Sequence, residues 1–128
     1  MSLLISPLEL SDAVSEMLEQ AGAEIREKVN AEAEKIAGDV LEKLKRDSPK
    51  DTKKYSKSWI IDERENKIAG NKHYIIKNEK HYRLTHLLEH GHVNRNGSRT
   101  EAKPHIGKIN DAACREFERR VVNILSEV

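Results

Sequence analysis

One five-residue string in this 128-residue chain has the spacing of a catalytic metal site. His86-Leu87-Leu88-Glu89-His90 reads H-x-x-E-H, the inverted zincin pattern. On a helix, residues four apart share a face, so His86 and His90 could both ligate zinc. Glu89 would then be the base that activates a metal-bound water. His92 or His105 could complete the sphere. Three features weigh against this chemistry. The helix that would carry it is barely two turns long and stops at Gly91. Catalytic zinc of this type sits in the cleft of a much larger domain. All six histidines fall between residues 73 and 105, so a chance match is easy to obtain. The same string also reads as a packing element, with Leu87 and Leu88 as its apolar side and the histidines on its wet side. The expectation is therefore no catalytic residue, no metal and no cofactor.

Other chemistry is thin. Cys114 is the only cysteine and falls within an apolar periodic run, which reads as a small helix residue; a nucleophile would need a partner base beside it. A single cysteine rules out an intramolecular disulfide, and a reducing compartment is the plain reading. The six glycines are scattered, so no phosphate loop is present, and there is no nucleophile elbow. Lys50, Lys53, Lys54 and Lys57, interleaved with Tyr55 and Trp59, could touch phosphates and stack on bases. In a strand, however, Trp59 reads as core, and no nucleic-acid-binding signature appears.

The elements that must position these residues follow from periodicity. Ser6-Pro7-Leu8-Glu9 has the order of a helix start, with Ser6 as cap and Pro7 in the first position. From Leu10 to Leu44 the apolar residues recur every three or four, one stripe on one face. Asp47-Ser48-Pro49 ends it. The stripe predicts one helix over residues 6–46, about 60 Å long, too long for a core of this size. Either Gly22 or Gly38 breaks it, or part of it projects onto another subunit. A glycine costs only about 1 kcal/mol in a helix, which favours projection.

Residues 47–57 read as a lysine-rich loop. Residues 58–62 and 72–77 have strand composition, with a turn at Glu65-Asn66-Lys67. Arg83 to His90 forms a short helix stopped by Gly91 in a left-handed conformation. Residues 92–103 form a loop or short hairpin around Asn96-Gly97. After Pro104 the apolar positions Ile106, Ile109, Ala113, Phe117, Val121, Ile124 and Val128 predict a second amphipathic helix. The expected class is α+β within a single domain, residues 1–128: a long N-terminal helix over 1–46, a small antiparallel sheet with a short helix over 47–104, and a C-terminal helix over 105–128.

The net charge of +1 conceals a strong asymmetry. Residues 1–42 hold ten acids and three bases, whereas residues 43–108 hold eight acids and seventeen bases. Either the two parts meet in head-to-tail self-association, or the basic part faces a polyanion. Acidic helices and lysine-rich loops kept for solubility would give the same count. No apolar run approaches the roughly 20 residues of a membrane span. The Leu3-Leu4-Ile5 cluster lacks the flanks of a secretion signal.

Two stretches carry a resemblance. Residues 84–106, LTHLLEHGHVNRNGSRTEAKPHI, resemble the neck or tail-completion proteins of tailed phages, the gene-ten-product type of HK-family siphophages. The matching residues are Leu84, His86, Leu87, Leu88, Glu89, Gly91, His92, Gly97, Pro104, His105 and Ile106. Upstream, Ser48, Pro49, Thr52 and Ser58 match the same family. Lys53 replaces a usual glycine, His90 a usual aromatic, and Gly107-Lys108 a usual basic residue and proline. The His90 exchange means the zinc-like string arises by one substitution within a structural motif. The resemblance implies a virion structural protein of the head-tail connector, without enzymatic activity. It also implies a homo-oligomeric ring, of six subunits, around the DNA channel. The implied neighbours are head-completion or adaptor proteins and tail-terminator or tail-tube proteins, with non-specific contact to channel DNA and no membrane. The implied location is the virion, and the host cytoplasm during assembly.

Within that frame, Lys50, Lys53, Lys54, Lys57, Arg95, Arg99 and Lys103 are the expected contacts to a partner or to the DNA channel, because loops on a rigid scaffold carry such contacts. His86 and His105 are expected to act as polar clasps between the short helix and the Pro104 segment.

Overall fold

The computed structural model describes residues 2–49, 54–66 and 71–127. In chain order the elements are β1 (Ser2–Ile5), a 3₁₀ turn (Pro7–Glu9), α1 (Asp12–Glu19), α2 (Ala23–Asp47), α3 (Lys54–Lys57), β2 (Trp59–Asn66), β3 (Asn71–Asn78), α4 (Tyr82–His90), β4 (His92–Val93), β5 (Arg99–Thr100) and α5 (Gly107–Ser126). The expected α+β class holds: a long helix, a small antiparallel sheet and a C-terminal helix. β3 is the central strand, with β1 and β2 antiparallel on either side.

The sheet is one-faced, as alternation requires. Tyr74, Ile76 and Asn78 of β3 are buried and their alternate neighbours are only half-buried. The register sets Leu3 opposite Ile76 and Ile5 opposite Tyr74, while Trp59 lies opposite Asn78. All of these are buried. Against that face pack α2, through Val29, Ala33, Ile36, Ala37, Val40 and Leu44, and α5, through Ile109, Ala113, Phe117 and Val121. Both sets step by three or four, so each helix presents one apolar stripe. Arg120 joins the two helices at their rim. Its guanidinium lies 2.9 Å from Glu32 and 2.9 Å from Glu116. Hydrogen bonds from Arg119 and Arg120 hold the Glu116 carboxyl at about 2.

The N-terminal helix does not project; it breaks at Gly22. α1 ends at Glu19, and Gly22 takes an extended conformation before α2 begins. The Arg26 guanidinium donates to the Glu19 carbonyl at 2.9 Å, closing the free end of α1. The physical reason is burial. A continuous rod would leave Leu18 in solvent, whereas folding back buries it and lays α1 on α5. The amide of Ser11 is then held by the Glu118 carboxylate at 2.9 Å. α2 runs unbroken through Gly38 and spans about 37 Å at 1.5 Å per residue. Ser6 does cap, receiving the Leu8 N–H at 3.1 Å, but over a 3₁₀ turn. The residues before it form β1, a strand that the periodicity does not predict.

Residues 47–57 are not all loop. Lys54–Lys57 form one helical turn with Tyr55 and Ser56 buried. β2 continues through Asn66, past the start of the expected turn, whose Lys67 lies outside the described residues. The short hairpin forms, with His92 opposite Thr100 and Val93 opposite Arg99. The Gly97 amide bonds back to the Asn94 carbonyl at 3.1 Å and Gly97 has φ +85°. Asn94 also pairs with Ser98. That is a three-residue loop whose left-handed residue is glycine, rather than a two-residue turn at Asn96-Gly97.

Gly91 ends α4 by donating to the Leu87 carbonyl at 2.8 Å. Its φ is positive as expected, at +74°, but its ψ is 175°. That region is open essentially to glycine alone. A Cβ there would sit 2.6 Å from the Thr100 carbonyl oxygen, on the facing strand β5. Gly91→Val should therefore destabilise the fold by more than about 1 kcal/mol. Thermal or denaturant unfolding measures this, and an unchanged midpoint would show that position 91 tolerates a side chain.

Candidate functional site: a buried carboxylate clasp

The H-x-x-E-H string lies on α4 as expected, but its members do different work. His86 and His90 are exposed, with ring centroids 5.0 Å apart. Glu89 is only 8% exposed. Its Oε1 accepts the backbone N–H groups of His105 at 2.7 Å and Ile106 at 3.0 Å. Its Oε2 accepts that of Gly107 at 2.9 Å. These are the N–H groups at the start of α5, which have no partner within the helix. No Ser, Thr, Asp or Asn precedes α5 to cap it, and the Ile106 side chain makes no cap bond. Glu89 supplies that cap from another element. The positive end of the α5 dipole favours a negative charge there.

The charge of Glu89 is set by opposing effects. Burial pushes its carboxyl up; the three N–H groups and the adjacent His105 ring pull it down, and the net is below its ordinary value. A carboxylate spent in this way is not placed to serve as a base for water held by His86 and His90. Among the described residues, no group of three or more His, Cys, Asp or Glu is placed to hold a metal ion.

His105 extends the clasp. Its ring is buried, with Nδ1 2.8 Å from the Lys103 carbonyl and Nε2 2.7 Å from the Tyr55 hydroxyl. Nδ1 faces an acceptor and so carries the proton; in the neutral ring, Nε2 receives the Tyr55 O–H. Burial, followed by the negative charge of Glu89, pushes the Tyr55 phenol up. Tyr55, Trp59 and His105 pack edge to face, with ring centroids 5.5–6.3 Å apart. The Trp59 indole donates to Ser48 Oγ at 2.8 Å, and Ser48 in turn donates to the Leu44 carbonyl at the end of α2. Asn78 at the end of β3 reaches the Tyr55 carbonyl at 2.8 Å and receives the His81 amide at 2.8 Å, just before α4. The Lys103 amide bonds the Leu88 carbonyl at 2.6 Å. The two stretches that carry the family resemblance thus meet in one network of aromatic rings and hydrogen bonds.

The expected clasp of His86 with His105 is half corrected. His105 is in it, but His86 faces solvent, and Glu89 holds the place given to His86. Of the other motif residues, Ile106 is buried and Leu88 half-buried, whereas Leu84, Leu87 and Pro104 are exposed and His92 is half-buried. Nothing in the local sequence pattern marks Tyr55 as a member of the clasp. Tyr55 and Trp59, only 5% and 1% exposed, cannot stack on bases without leaving the core, so the nucleic-acid reading loses its aromatic part. Lys50 and Lys53 lie outside the described residues; Lys54, Lys57, Arg95, Arg99 and Lys103 are exposed. Arg99 also has a structural task, donating to the His90 carbonyl at 3.0 Å at the end of α4. Cys114 is half-buried, and burial pushes its thiol up, followed by the charges of Glu9 and Asp111. That is the opposite of an activated nucleophile.

A family profile described as "Bacteriophage HK97-gp10, putative tail-component" matches residues 9–91, more than half of the chain. The chain belongs to this HK97-gp10-like family. No curated protein and no solved structure matches it significantly. Membership makes it a structural component of a phage tail, which argues against an enzyme. The match stops at Gly91, two residues beyond Glu89. The His105-Ile106-Gly107 segment outside the match is the partner that Glu89 grips.

In this HK97-gp10-like chain, Glu89→Gln should lower stability by about 1–3 kcal/mol, the cost of leaving a buried donor without its acceptor. The pH dependence has a definite sign. A carboxyl held below its ordinary value contributes fully above the unfolded-state pKa of about 4.3 and loses that contribution as pH falls through the folded value. The wild type should therefore lose its advantage over the Gln variant in acid. Denaturant melts of both chains between pH 7 and pH 3 measure this; a gap independent of pH would contradict it.

Proposed function

We propose that this tail component is a ring-forming protein of the phage neck, joining head to tail around the DNA channel. Family membership supports the virion role, and the segregation of charge carries the finer reading. α1 and the first half of α2 expose acids, whereas α4 and the β4–β5 hairpin expose bases. A chain with opposite charge on two separate surfaces favours a heterologous contact, and such contacts close into a ring when the rotation permits. Six copies, as the family resemblance implies, would leave the basic loops toward a neighbouring ring of head-completion or tail-terminator proteins or toward channel DNA. Lys54 and Lys57, on the turn that carries Tyr55, are rigidly mounted for such a contact. No helix of the described residues is long and apolar enough to cross a membrane. The virion is the proposed site of action, with assembly in the host cytoplasm.

Deleting the gene from the phage should leave filled heads and finished tails unjoined, and electron microscopy of the lysate shows which occurs. Mature, infectious particles lacking the protein between portal and tail tube would contradict the proposal.

A further inference from the structure

The break at Gly22 creates an apolar groove. Met17, Gln20, Ala21, Gly22, Ile25 and Leu125 line a cavity of about 380 Å³ between the end of α1, the start of α2 and the end of α5. Met17 is 54% exposed at its edge. The chain around it, residues 9–27, carries six acids and one base, and that base, Arg26, already caps α1. The opposite arrangement occurs on α4. Leu84 and Leu87, three residues apart and so on one side of the helix, are 42% and 41% exposed. Residues 80–103 around them hold five bases and two acids, of which Glu89 is buried in the clasp. The clasp fixes α4 at the start of α5, at Gly107, whereas the groove is at Leu125. Eighteen residues of helix separate them, about 27 Å at 1.5 Å per residue.

We infer that the Leu84–Leu87 ridge of one copy seats in the Met17–Leu125 groove of the next. The occupant is a second copy because the chain itself carries both complementary surfaces: an apolar ridge within basic surroundings and an apolar groove within acidic surroundings. The two lie at opposite ends of one rigid helix. They cannot meet within a molecule, and they are not self-complementary, so the contact is head to tail. This deepens the ring reading above and rests on it.

The test is a disulfide bridge across the contact, read in assembled particles and in concentrated purified protein. In a Cys114→Ser chain, Met17→Cys with Leu87→Cys should give a ladder of covalent multimers on mild oxidation. Either cysteine alone should give dimers at most. Glu16→Lys with Glu19→Lys, or Arg83→Glu with Arg95→Glu, should weaken self-association at least tenfold by native mass measurement. A chain carrying all four reversals should regain it. Apart from the half-buried Cys114, these sites are exposed, and unchanged melting curves confirm that the fold is kept. Oligomers that form without the ladder and ignore the charge reversals would overturn this interface while leaving the ring intact. Absence of oligomers both alone and in extracted necks would overturn the ring and the interface with it. A cross-link from position 17 to a different virion protein, or displacement by a small apolar probe without loss of assembly, would also overturn it.

Discussion

The C-terminal helix enters the core without a cap of its own, and a glutamate sixteen to eighteen residues upstream provides one. An uncapped helix start leaves N–H groups that must find acceptors when buried. Glu89 gathers the N–H groups of His105, Ile106 and Gly107 on one carboxylate. This has two consequences. α5 is aimed so that Ile109, Ala113, Phe117 and Val121 meet α2 and the sheet. α4 is fixed to the same point, although its packing against the rest of the fold is slight. The cost is an acid in the last turn of α4, where the dipole disfavours it. The gain at the start of α5 offsets it because the charge there sits among N–H groups rather than carbonyls.

Around this contact the aromatic residues act as spacers rather than as a ligand platform. Tyr55 is fixed by His105 and by Asn78, and Trp59 by Ser48, so four segments distant in sequence are tied to one place. The polar members of the network are buried and satisfied, which gives a unique arrangement instead of a merely compact one. The lysines of α3 and the basic hairpin are then held on a rigid frame. The ring proposed above would need that, since its contacts would repeat at each position.

Much of this was legible in the residues. The strand-favouring composition of 72–77, the later part of the apolar stripe of 10–44, the stripe that begins at Ile106, and the glycine after His90 each point to the correct element, because each depends on local composition, on periodicity or on a backbone conformation that few residues adopt. The break at Gly22 was not legible. Propensity at Gly22 and Gly38 is equal, and only the tertiary gain from burying Leu18 against α5 decides between them. β1 was missed because four residues beside a helix signal carry little periodicity. The zinc-like spacing drew attention to His86, whereas the informative member was Glu89. Two signals pointed there: an acid at a helix C-terminus, and a helix opening on Pro-His-Ile-Gly with no capping side chain. Neither signal is a motif; each is an unsatisfied local requirement, and the two requirements satisfy each other.

The central claim is that one ionised carboxylate organises the start of α5. Amide proton shifts of His105, Ile106 and Gly107, followed by NMR as pH is lowered, test it most directly. The account predicts that all three amides titrate together with the Glu89 side chain, at a pH below that of an ordinary glutamate. Amides that do not respond, or that follow an exposed glutamate, would contradict it.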